Sequence, residues 1–99
     1  MVLKIASLAA GTTKTSGTAF ITSYTFSQSR RLHVSLSSDI AFTLQVTKDG
    51  SNYYNGASVD AGGSMDVSIW VMAGDILNFK QTSGSTATLG WFEVFAEDG

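Results

Sequence analysis

Leu32-His-Val-Ser-Leu-Ser-Ser-Asp39-Ile-Ala-Phe-Thr-Leu-Gln-Val46 is the stretch that decides the fold. Leu32, Val34 and Leu36 alternate with His33, Ser35 and Ser37. Ile40, Phe42, Leu44 and Val46 then alternate with Ala41, Thr43, Gln45 and Thr47. A period of two places every second side chain on one face, the mark of a strand buried on one side. Ser37-Ser38-Asp39 separates the two runs, so they form a hairpin or a corner between two sheets.

The pattern continues on both sides. Val2–Leu8 alternates loosely, Leu3 and Ile5 against Lys4 and Ala6, and predicts a first strand. Residues 1–17 are expected to be that strand, as an edge or an exchangeable arm, followed by a small polar loop. Residues 18–27 predict a second strand with Phe20, Thr22, Tyr24 and Phe26 on one face and Ile21 opposite. Lys48-Asp-Gly-Ser-Asn52 is the clearest turn, because Asp-Gly supplies the positive φ that tight hairpins require. Residues 53–58 predict a short return strand with Gly56 inside it. Met65, Val67, Ile69 and Val71 predict a buried face, with Asp66, Ser68, Trp70 and Met72 on the other. Leu77 and Phe79 follow, alternating with Asn78 and Lys80. Residues 87–96 form a last strand that is apolar on both faces: Leu89, Trp91 and Phe95 on one, Phe92 and Val94 on the other. Seven or eight short strands at this spacing predict one all-β domain, an antiparallel β-sandwich of jelly-roll type spanning 1–99.

Composition narrows the function. The chain has 99 residues, 14% of them charged, against roughly a quarter in an average globular domain. Ser and Thr fill the difference at about a quarter of the chain. A surface poor in charge suits a protein covered by its own copies better than a free monomer. The net charge of −2 gives no electrostatic basis for nucleic-acid binding, and Arg30-Arg31 is the sole basic doublet. With no cysteine, thiol nucleophiles, disulfides and zinc–thiolate sites are excluded. No run approaches the roughly 20 apolar residues of a membrane helix. Residues 1–10 read as a strand and not as a signal peptide, because Lys4 and Ser7 break the apolar run.

Chemistry-bearing motifs are sparse. His33 is the single histidine, so a Ser-His-Asp set would have to use it. Ser35, Ser37 and Asp39 are its sequence neighbours, but no Gly-x-Ser-x-Gly elbow is present. The chain is expected not to be an enzyme and to carry no cofactor. Asp39, Asp49, Asp60, Asp66 and Asp75 fall in or beside turns, where Asx-turn capping is the expected role. A calcium site from Asp49, Ser51 and Asn52, or from Asp60 and Asp66, is the sharper alternative. The aromatic residues offer two readings. Trp70, Met72, Trp91 and Phe92 are the expected oligomer interface, since a strand with two apolar faces is covered on both. Alternatively, Tyr53 and Tyr54 with Asn52 and Asn55 form a sugar-binding face in a carbohydrate-binding module or lectin-like head.

Four stretches carry a resemblance. Leu44-Gln-Val-Thr-Lys-Asp-Gly50, Gly63-Ser-Met-Asp-Val-Ser-Ile69, Ala73-Gly-Asp75 with Leu77 and Phe79, and Gly90-Trp-Phe-Glu-Val94 resemble the C1q/TNF-like jelly roll over about two thirds of the chain. Small virion proteins of phages and archaeal viruses look similar. The resemblance implies a trimer-forming sandwich used as a head, spike or shell element, located on a virion or outside the cell. Its expected partners are copies of itself and other virion or filament proteins, without nucleic acid or a membrane span.

Overall fold

A computed structural model describes residues 2–97. Nine strands follow in chain order: β1 (Val2–Leu8), β2 (Thr13–Lys14), β3 (Tyr24–Thr25), β4 (Arg30–Ser38), β5 (Phe42–Thr47), β6 (Tyr53–Val59), β7 (Ser64–Val71), β8 (Ile76–Gln81) and β9 (Ala87–Glu97). They make two antiparallel sheets. The five-stranded sheet runs β1-β9-β4-β7, with β2 also on β9, and the four-stranded sheet runs β3-β8-β5-β6. The expected all-β sandwich is therefore the fold, in one domain.

The decisive stretch is a corner. β4 and β5 lie in different sheets, and both point their even-numbered side chains inward: Leu32, Val34 and Leu36 from one, Phe42, Leu44 and Val46 from the other. Asp39 fixes the corner. Its backbone N–H donates to Thr88 O at 3.2 Å, and its carboxylate accepts the Thr88 N–H at 2.7 Å. The core fills with aromatic rings at its centre. Phe92 meets Phe20 and Phe79 edge-on, with centroids 5.3 and 5.5 Å apart, the arrangement that ring quadrupoles favour.

Two expectations need correction. Residues 18–27 are not one strand, since only Tyr24 and Thr25 pair, with Leu77 and Ile76. The preceding residues are held instead by the Phe20 N–H, which donates to Phe79 O at 2.9 Å, and by the buried Asn78 side chain, which donates to Ile21 O at 2.8 Å and accepts from Ile21 N at 3.3 Å. This holds Phe20 in the core while Thr22 and Tyr24 stay exposed. The second correction concerns β9. Ser38 pairs with Leu89 and Ser37 with Trp91, so Gly90 is an extra residue. Such a bulge reverses the alternation. Leu89 therefore points inward, with Phe92 and Val94, while Trp91 and Phe95 point outward.

Candidate functional site

The outer face of the five-stranded sheet gathers most of the chemistry-bearing side chains. Strand register sets them in rows. Lys4, Phe95, His33 and Ser68 lie across β1, β9, β4 and β7 in one row. Ser7, Glu93, Ser35 and Asp66 form the next, and Trp91, Ser37 and Ser64 the one beyond. Trp70 sits opposite Arg31 at the other end.

Three expected interface residues are on this face or its border. Trp70 is 52% exposed, Met72 54% and Trp91 41%. Each indole N–H has an internal acceptor: Trp70 donates to Met72 Sδ at 3.0 Å, and Trp91 to Ser35 Oγ at 2.8 Å. Each ring is thus held by a hydrogen bond and leaves apolar surface exposed. Phe92 is the correction to this set. It is fully buried at the sandwich centre, because the Gly90 bulge turns it inward, and it cannot contact another subunit from there.

His33 does not join Ser35, Ser37 or Asp39. Its Nε2 lies 2.8 Å from Glu97 Oε1, and its Nδ1 3.3 Å from Ser68 Oγ. The hydrogen bond from His33, with the further influence of Arg31, holds the Glu97 carboxyl below its usual range. Sequence spacing gave no sign of this Ser68–His33–Glu97 line, since strand pairing alone brings residues 35 and 64 positions apart together. The line lies on an open sheet surface, flanked by shallow depressions of about 270 and 210 Å³. Nearby, Lys4 pairs with Glu93 at 3.1 Å and lies over the Phe95 ring.

The residues of the sugar-binding alternative are not brought to one surface. Tyr53 and Tyr54 are adjacent on β6, so they point to opposite sides of the strand. Lys80 Nζ covers the Tyr53 ring at 4.1 Å from its centroid, and burial raises the Tyr53 pKa. Asn55 Oδ1 accepts from Gln45 Nε2 at 3.5 Å. Asn52 belongs to the Asp49 turn, donating from its backbone at 2.7 Å and from its side chain at 2.8 Å. With the Ser51 N–H and the Thr47 hydroxyl also donating, Asp49 has both oxygens engaged within the loop. Among the described residues, no three His, Cys, Asp or Glu side chains cluster.

Beside β1 lie a cleft of about 190 Å³ toward β3, lined by Leu3, Ile5, Tyr24 and Phe26, and a wider open groove of about 670 Å³, lined by Ile5, Leu8, Lys14, Phe20 and Tyr24. No family model and no curated protein matches this chain.

Proposed function

We propose that the chain is a non-enzymatic structural subunit that self-associates through the outer face of its five-stranded sheet, as a building block of a virion surface or an extracellular filament. One observation carries this reading: Trp70, Met72 and Trp91 stand about half exposed around one sheet face of a chain otherwise short of charge. Large aromatic rings are the usual centres of binding energy at protein interfaces. The molecule measures 35 × 28 × 19 Å, so its broad side offers roughly the 800 Å² per partner of a standard interface. The strand order supports a jelly roll. After β3 the chain crosses between sheets at every connection except the β5–β6 hairpin, giving β1-β9-β4-β7 over β3-β8-β5-β6, the winding of two interleaved Greek keys.

The Ser68–His33–Glu97 line is assigned a structural role, tying β7, β4 and β9 together. Hydrolysis would need a pocket that holds substrate and preorganised donors for an oxyanion, and the line lies on an open surface. The sugar-binding alternative is disfavoured by the opposed tyrosines.

Native mass tests the proposal. Wild type is expected to form a stable oligomer at micromolar concentration. A Trp70→Ser/Trp91→Ser variant is expected to dissociate while keeping its circular dichroism spectrum. A monodisperse wild-type monomer overturns the proposal.

A further inference from the structure

A sandwich of two open sheets has four edges, and three of them here are protected. β1 carries Lys4 and a bulge between Lys4 and Ala6. β3 has two residues. β6 is bulged around Gly56, where the pairing skips from Ala57 to Asn55. These are common devices against edge-to-edge pairing: short strands, bulges and lysine. β7 has none of them. Its ladder with β4 runs unbroken through eight pairs, from Ser37↔Ser64 to Arg30↔Val71. It contains no proline, lysine or arginine, and Asp66 is its single charge.

The hydrogen-bonding direction along β7 follows from β4. Ser38 N–H donates to Gly63 O on the β7 side, whereas Asp39 N–H donates to Thr88 O on the β9 side. Successive residues of a strand point their N–H and C=O groups to alternate sides. Even-numbered residues of β4 therefore bond to the odd-numbered residues of β7, and Asp66, Ser68 and Trp70 turn their backbone groups outward. The free stretch ends at Met72, whose outward N–H is taken by the Asp75 carboxylate at 2.8 Å.

We infer that β7 pairs antiparallel with β7 of a second copy across a two-fold axis at Ser68, joining two five-stranded sheets into one. The strand is complementary to itself in this register. On the inner face, Val67 meets Ile69 and Met65 meets Val71, so the half-buried Val67 gains an apolar neighbour. On the outer face, Ser68 meets Ser68 and Asp66 meets Trp70. Like charges are not opposed, whereas centring at Asp66 would set two carboxylates face to face. The inference rests on the self-association reading and names one of its contacts. A two-fold contact gives even copy numbers, and combined with the three-fold packing that the jelly-roll resemblance implies, the smallest closed assembly has six copies.

Two single substitutions test it. Ser68→Pro removes an N–H that points away from β4 and one hydroxyl contact to His33, on a strand held to β4 by eight residue pairs, so the fold is expected to persist while the native mass falls at least two-fold. The chain has no cysteine, so Ser68→Cys is a clean probe. Facing residues of a hydrogen-bonded antiparallel pair lie about 5.5 Å apart at Cα, within disulfide range. Oxidised Ser68→Cys is expected to run as a covalent dimer, with a Thr86→Cys control in the exposed β8–β9 loop remaining uncrosslinked. A folded Ser68→Pro variant of unchanged mass, or a Ser68→Cys variant that crosslinks no more than the control, overturns edge pairing but leaves self-association standing. A monomeric wild type overturns both. If Ser68→Pro does not fold, the cysteine result decides.

Discussion

Asp49 shows how one side chain can organise a loop. Its carboxylate collects the backbone N–H groups of Ser51 and Asn52, the Asn52 amide and the Thr47 hydroxyl. These donors, the Asn52 N–H foremost, hold its pKa far below the ordinary range, because each favours the charged form. The sign of the pH effect follows. Above about pH 4, the ordinary aspartate value, the group is charged in both folded and unfolded chains, and its stabilising contribution is fully present. As pH falls below that, the unfolded chain takes up the proton first, and the contribution drains away toward the depressed folded value. Asp49→Asn is expected to lower the melting temperature at pH 7 and to flatten its decline between pH 5 and 2, in scans of both proteins across that range. The adjacent Gly50 has φ +84°, as the Asp-Gly reading requires, and a Cβ there would sit 3.3 Å from Ile76 Cγ2. Gly50→Val is expected to cost on the order of 1–2 kcal/mol, measured by urea unfolding. A cost below about 0.5 kcal/mol would contradict the strained geometry.

At the scale of the element, what was legible and what was not divide along one physical line. Alternation identified the inward faces of β4, β5 and β7 correctly, because a regular strand buries every second residue. It failed where an element departs from regularity. Leu89 and Phe92 differ by an odd number of positions and yet both point inward, which strict alternation forbids and the Gly90 bulge permits. Residues 18–23 look like a strand, but Asn78 serves them through a side chain 57 positions away, which no local pattern encodes. The candidate site divides in the same way. Trp70 and Met72 stand exposed as the alternation of β7 predicts, whereas the outward side of Trp91 depends on the Gly90 bulge, and Ser68, His33 and Glu97 meet only through strand register. The two bulge glycines should respond unequally to Ala. A Cβ at Gly56 would stand 2.8 Å from Val46 Cγ2 and 3.2 Å from Leu44 O, both fixed in the core. A Cβ at Gly90 would collide with the Ser37 hydroxyl, which can rotate away. Gly56→Ala is therefore expected to lose about 1–3 kcal/mol and Gly90→Ala distinctly less, in parallel denaturant titrations. Equal losses would show that the Ser37 rotamer is as rigid as the core.

For the whole molecule, adjacent residues on β9 separate stability from the proposed assembly. Phe92 is packed between Phe20 and Phe79, and Phe92→Ala is expected to remove about 3–5 kcal/mol, a large share of the roughly 5–15 kcal/mol that a domain possesses. Trp91, one residue away, points outward. Trp91→Ser is expected to change the unfolding free energy of the isolated subunit by under about 1 kcal/mol while weakening self-association. Unfolding of dilute protein and native mass of concentrated protein measure the two effects separately. Comparable destabilisation by both substitutions would contradict the division of β9 into a core side and a contact side.

The central position of β9 also governs when the molecule can fold. It lies between β1 and β4, so both must wait for the last of the nine strands before the five-stranded sheet can close. On a ribosome, β1 has no ladder partner while the segments from β3 to β8 are being made. Pairing of residues as distant as Val2 and Glu97 makes closure a slow event, of the millisecond-to-second class typical of sandwiches. Until then the ladder groups of β1 and β4 that face β9 stay unpaired. Synthesis on crowded polysomes thus exposes, for a short interval, the same strands that the finished sandwich pairs or buries.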